Sequence, residues 1–179
     1  MSATVLIRRL TSTGPTLTDI TSINTRANAE DTHTTAGTSN SVLIPAAGSN
    51  YSYWVVTRLD VTAITGGTVN NIKWYADGTN NFGTGVTCNG NTATAYTQAT
   101  GTAGTTGLQL TTGNYATVTT PVDVFTFTAG SPKSVTGSTS SVSAVFADMF
   151  VYQLVVGTTA ASGASAQETF TYQYDDTSS

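Results

Sequence analysis

From Tyr51 to Ile64 the side chains alternate in character. Tyr51, Tyr53, Val55, Leu59, Val61 and Ala63 share one parity, while Ser52, Arg58, Asp60 and Thr62 share the other. Period two is the spacing of a strand, because successive side chains leave opposite faces of an extended backbone. Gly66-Gly67 follows, then Thr68 to Asp77 with Val69, Ile72, Trp74 and Tyr75, which predicts a second strand and a hairpin between the two. Ser141 to Val156, dense in Val, Phe, Tyr and Leu and stopped by Gly157, predicts a central strand buried on both faces. Glu168 to Asp176 alternates again, with Phe170, Tyr172 and Tyr174 opposed to Thr171, Gln173 and Asp175. The small residues from Thr158 to Gln167 between the last two segments suit a long hairpin loop.

Weaker strand signals lie at Ala3–Leu10, Leu17–Ile23, Ser41–Ile44, Thr92–Thr97, Leu108–Leu110 and Tyr115–Phe127, the last interrupted at Pro121. Apolar residues never recur at helical spacing for three turns. Ser143–Leu154 is the best helical competitor, but it is rich in Phe, Val and Tyr and lacks a cap. Many short strands joined by Gly, Thr and Asn predict an all-β fold: an antiparallel two-sheet β-sandwich, jelly-roll-like, with long Thr/Gly/Asn-rich loops. A chain of 179 residues and 18.4 kDa suits one domain, with a folded surface on the order of 8,000 Å². Residues 49–179 are expected to form the body, and residues 1–48 an N-terminal arm or edge strands.

Only 9% of the residues are charged, 6 Lys+Arg against 10 Asp+Glu, and roughly one residue in five is Thr. One His, one Cys and so few bases are too little for a zinc cluster, a disulfide framework or a groove that tracks phosphates, so nucleic acid is not an expected partner. The longest nearly apolar run, Ala144–Val156, carries Asp148 and Gln153 and is too short to span a bilayer; no membrane association is expected. The start, Met1 to Leu10, lacks the order of an export signal, and the lone Cys88 fits synthesis in a reducing cytoplasm. Residues 78–122 hold no Asp, Glu, Lys or Arg, yet interleave Phe82, Val86, Tyr96, Leu108, Leu110, Tyr115 and Val118 with Thr, Gly and Asn. Such a stretch is expected to be ordered and to contact another protein surface, since neutral hydroxyls lose their water more cheaply than charges do.

Motifs with chemical content are sparse. His33 in Asp31-Thr-His-Thr-Thr has hydroxyls and a carboxylate nearby, but no nucleophile turn accompanies it, and it reads as a loop histidine. Cys88 has no base within ten positions to stabilise a thiolate and reads as a buried, inert thiol. Asp77 to Gly83 begins like a calcium loop, but Phe82 stands at the sixth position and Cys88 at the twelfth, where Gly and Glu are needed. No catalytic, cofactor-binding or metal-binding residue is assigned, no cofactor is expected, and the chain is not expected to be an enzyme. Trp74, Tyr75 and Tyr96 remain as aromatic faces that could stack on a sugar.

The Thr/Gly/Asn-rich strands, the Tyr51–Asp77 pair and the two terminal segments Val142–Val156 and Glu168–Asp176 together resemble small virion proteins of tailed bacteriophages, the jelly-roll capsid decoration or minor capsid proteins. The resemblance implies a viral structural protein of the virion that stabilises the particle. Its partners would be itself, as a homotrimer or other symmetric homo-oligomer, and a capsid or tail lattice protein. The alternative is a carbohydrate- or receptor-binding module of a phage tail or fibre, with Trp74, Tyr75 or Tyr96 as its platform.

Overall fold

The computed structural model describes residues 2–177. Twelve strands carry the fold. They are β1 (Thr4–Thr11), β2 (Thr16–Asp19), β3 (Ser49–Tyr51), β4 (Val55–Ala63), β5 (Val69–Tyr75), β6 (Val86–Ala93), β7 (Gly101–Thr102), β8 (Thr106–Gly107), β9 (Val122–Asp123), β10 (Lys133–Ser134), β11 (Met149–Gly157) and β12 (Thr171–Asp176). Every strand pairing is antiparallel. The large sheet runs β2-β1-β4-β11-β6-β9, with β3 pairing to the end of β11; a small sheet runs β10-β5-β12, and β7 and β8 form a separate ribbon. The all-β antiparallel sandwich read from the sequence is the observed class, with a surface of 8285 Å². Among the described residues, helical structure is confined to one 3₁₀ turn, Val124–Thr126.

The large sheet is buried on both faces. Toward the small sheet, Val55, Leu59, Phe150, Tyr152, Leu154 and Cys88 pack against Ile72, Trp74 and Ala76, with Val124, Phe125 and Val135 filling the side. Trp74 stacks on Phe150 with centroids 3.6 Å apart and planes 7° apart. On the opposite face no sheet is available. Trp54, Val56, Met149 and Val151 are covered by irregular chain that contributes Ala29, Ala99, Leu110, Tyr115 and Val118.

Three expectations from the sequence are overturned here, one continuous strand and two pairings of strands adjacent in the chain. The first expected strand is divided, since β3 ends at Tyr51 and β4 begins at Val55. Between them the Ser52 N–H donates to the Leu154 carbonyl, the Ser52 hydroxyl accepts the Leu154 N–H, and Tyr53 N–H turns away to the Asn28 carbonyl. Next, β4 and β5 form no hairpin. Both edges of β4 are occupied, by β1 and β11, so the chain after Gly66-Gly67 crosses to the other sheet. For the same reason β11, flanked by β4, β3 and β6, leaves no edge for β12, which pairs with β5 instead. Residues 141–148 are not part of β11 either, and Val142 and Val145 lie exposed there.

Residues 2–48 lie against the body. β1 and β2 form a hairpin at the edge of the large sheet, with β1 paired to β4 in one register from Val5↔Val61 to Leu10↔Val56 and a shift between Thr4 and Val5. Residues 20–44 then wrap back over that edge, placing Ala29 in the loop-covered core. At the sheet centre Gly90 faces β11 so closely that a β-carbon there would run into the Val151 carbonyl, which is why a glycine stands in the middle of β6.

Candidate functional site

The three aromatic platforms named from the sequence do not form a row. Trp74 is 1% exposed, held between Phe150 and the edges of Phe127 and Phe170, so neither ring face can meet a sugar. Strand geometry sends Tyr75 to the outer face of the small sheet, where it is half-buried. Tyr96 lies across the large sheet, packed on the loop-covered core with its hydroxyl donating to the Ser12 carbonyl at 3.0 Å. The stacking role expected of Trp74 is therefore corrected: its alternation within β5 aims it into the core, not out of it.

The titratable groups are engaged in structure. Cys88 is fully buried and its thiol is pushed up by burial, then by Asp123. Arg9 is 1% exposed; its Nη1 donates to the Thr25 hydroxyl and to the Arg26 carbonyl, both at 2.7 Å. Because Thr25 Oγ1 accepts from Arg9, its own proton is free to point at His33 Nδ1, 3.2 Å away. Burial, then the Arg9 charge, lower the His33 pKa, in keeping with a neutral ring whose Nδ1 accepts. His33 thus faces a threonine and a guanidinium, not a carboxylate, and no triad is assembled. Burial raises the Glu30 pKa, but hydrogen bonds from Asn40, Thr32 and Asn28 outweigh it and hold the group low. The carboxylate of Asp31 caps Ser12 N–H and accepts from Gln98 Nε2, both at 2.8 Å. Asp77 accepts the Thr79 N–H at 2.8 Å, a turn of ordinary Asx type. Among the described residues, no three His, Cys, Asp or Glu side chains gather as a metal site would require.

The feature that sequence reasoning missed is a cleft of about 1050 Å³ beside the small sheet. Its floor is the large sheet, through Ile7, Tyr152, Leu154 and Val156, and its walls come from Trp74, Phe170, Tyr172 and residues 20–28, 35–44 and 160–169. Among the described residues that line it, Arg26 and Glu168 are the charged ones. Three of the most exposed large apolar side chains, Ile23 at 47%, Leu43 at 52% and Ile44 at 40%, stand on this lining. Within it the Tyr172 hydroxyl meets Thr57 Oγ1 at 3.0 Å, fixing the small sheet to the large one. Leu43-Ile44, an apolar pair in a run of Thr, Ser, Ala and Gly, was the available signal. It reads as a short strand from sequence but forms none.

No protein-family model matches this chain, and no curated protein or solved structure matches it.

Proposed function

We propose that this chain is a structural protein of a virus particle, a capsid decoration or minor capsid component that acts through symmetric self-association and contacts with a capsid or tail lattice. The observation that carries the reading is the segment around Val142 and Val145, which are 62% and 75% exposed, the largest values among the exposed large apolar residues. No charge lies between Lys133 and Asp148. The segment is also held at several points: Val61 and Ser143 exchange backbone hydrogen bonds at 3.0 Å, Val69 and Thr139 do so at 2.9 and 3.0 Å, and Asp148 N–H reaches the Thr136 carbonyl at 2.7 Å. An apolar ridge on a pinned backbone loses little freedom when a partner covers it, so each contact contributes more of its burial energy to association. Repetition over a symmetric lattice multiplies such modest contacts into high avidity.

The test is sedimentation velocity over about 1–100 μM, a range that brackets micromolar association. Self-association is expected for the natural chain, and a monomer with unchanged circular dichroism for Val145→Asp. A folded monomer throughout, with no copy located in an imaged particle, would remove the proposal.

A further inference from the structure

Residues 25–34 are tied to β1 through Arg9 but belong to no strand. Ala29 among them enters the loop-covered core, and Arg9 itself is 1% exposed. The seam between the two is poorly satisfied. Among the described residues, five buried side-chain polar atoms lack a hydrogen-bond partner, and four of them belong to this segment or to the arginine it covers: Arg9 Nε, Arg26 Nη1, Asn28 Oδ1 and Thr34 Oγ1. The Arg9 guanidinium donates to neutral acceptors, the Thr25 hydroxyl and the Arg26 carbonyl, whereas the ion pairs among the described residues are those of Arg8 with Asp19 and Asp60. A buried cation without an ion pair and polar atoms without partners all regain hydration if the segment lifts.

Opposing this are bonds across the seam. Tyr53 N–H donates to the Asn28 carbonyl at 2.8 Å and Gly104 N–H to that of Ala29 at 3.0 Å, while the Asp31 carboxylate accepts from Ser12 N–H and Gln98. Each can be exchanged for a bond to water at small net loss, whereas an orphan atom recovers its whole desolvation penalty. Residues 25–34 are therefore held by a finer balance than the strand ladders are.

His33 stands where that balance can be tipped. Thr25 Oγ1 accepts from Arg9 Nη1 at 2.7 Å and lies 3.2 Å from His33 Nδ1, so a neutral ring accepts the hydroxyl proton. A protonated ring cannot. Its Nδ1–H would turn on the same oxygen and bring a second cation to the atom that already holds the guanidinium. The acids within the segment are engaged elsewhere, Glu30 by Asn28 and Asn40 and Asp31 by Ser12 and Gln98. Arg26, also in the segment, adds a further positive charge. Tyr53, Tyr96 and Tyr152, from the body around it, have pKa values raised by burial and stay neutral in acid. Burial and the Arg9 charge lower the His33 pKa, so the ring takes a proton more readily once the segment is off the body.

We propose that residues 25–34 form an acid-released strap: protonation of His33 in mild acid lifts the segment from β1, uncovering Arg9 and withdrawing Ala29 from the loop-covered core, while the strands stay paired. Neither His33 nor the strap belongs to the Val142–Val145 ridge, so the test below is independent of self-association.

His33 is the one histidine of the chain, so its imidazole titration can be followed by NMR without ambiguity. The amides of Ser12, Tyr53 and Gly104 donate across the seam, and their hydrogen exchange reports its opening. The natural chain and His33→Gln are compared at about pH 7.5 and about pH 5, on either side of histidine's ordinary range. The expected result is a His33 midpoint below its ordinary value of 6.5, exchange at the three amides about tenfold or more faster in the natural chain than in His33→Gln at the lower pH, and β4 and β11 of the natural chain still protected there. A midpoint at or above the ordinary value, equal exchange in the two chains in acid, or protection lost in β4 and β11 together with the seam would each overturn the proposal.

Discussion

Among the described residues, each face of the large sheet buries a core of twelve hydrophobic residues, but the two are covered by different means. Toward the small sheet, β5 satisfies its own backbone in the ladders with β10 and β12, and the interior is free to be aromatic: Trp74, Phe150, Phe170 and Tyr152 form a contiguous set. Toward the loops, covering chain without a ladder must find partners for its amides elsewhere, since unpaired buried backbone groups are costly. Side chains of the sheet supply them. Gln153, 1% exposed, accepts Leu110 N–H at 2.6 Å and donates to the Ser52 and Leu108 carbonyls at 2.7 and 2.8 Å. Asn91 Nδ2 donates to the Thr120 carbonyl and Trp54 Nε1, just ahead of β4, to that of Thr97, and within the cover itself the Tyr115 hydroxyl donates to the Ala95 carbonyl, each at 2.9 Å. Neutral amides and hydroxyls do this in the interior at a lower desolvation cost than ionised groups. The charge-free stretch 78–122, expected to face another protein, supplies β6 and much of this cover, so its neutrality answers a demand within the chain itself.

If the faces differ in this way, substitutions should separate them. Trp74→Ala should cost the most, about 4 kcal/mol, because it opens a large cavity in the shared interior of both sheets; chemical denaturation should show one cooperative transition at a lower midpoint. Gln153→Met should follow at about 3 kcal/mol, since it keeps volume and strands three backbone groups. Its distinguishing mark is local: hydrogen exchange should accelerate at Leu110 and its neighbours while β5 stays protected. Equal acceleration on both sides of the sheet would erase the distinction. Trp54→Phe should cost about 1–2 kcal/mol, the loss of one indole hydrogen bond with some packing, read from the same denaturation curve. The smallest effect is that of pH. His33 binds a proton less readily in the folded chain than in the unfolded one, so stability should be whole above its ordinary value of about 6.5 and fall as the pH drops from there. The Glu30 carboxylate, held low, does not titrate in that window. His33→Gln should flatten the slope below about pH 6.5, and an unchanged slope would assign it to another group.

What the sequence made legible was local. The alternation at 51–64 and 168–176, the Gly157 stop and the absence of helical spacing each correspond to observed strands or boundaries. β6 escaped notice except for its end, because Val-Thr-Cys-Asn-Gly-Asn-Thr-Ala buries Cys88, Gly90 and Asn91 without an apolar alternation to betray it. Pairing was misread wherever neighbours along the chain were assumed to be neighbours in space. Whether an edge of β4 is free depends on β1 and β11, which lie far from it in sequence and leave no mark on residues 55–63. Trp74 has the same history, for its burial is decided by Phe150. For the cleft the apolar pair Leu43-Ile44 was the one local trace, since its floor and walls come from segments far apart in the chain and not from any motif.

The place of β11 has a consequence for biosynthesis. Both β4 and β6 rest against a strand that the ribosome makes well after either of them, and one edge of β5 likewise waits for β12. The nascent polypeptide can therefore join β4 to β1 early, but one edge of β4 and the facing edge of β6 stay open until β11 emerges, so the large sheet is completed only then, at the slow pace of a topology dominated by distant contacts.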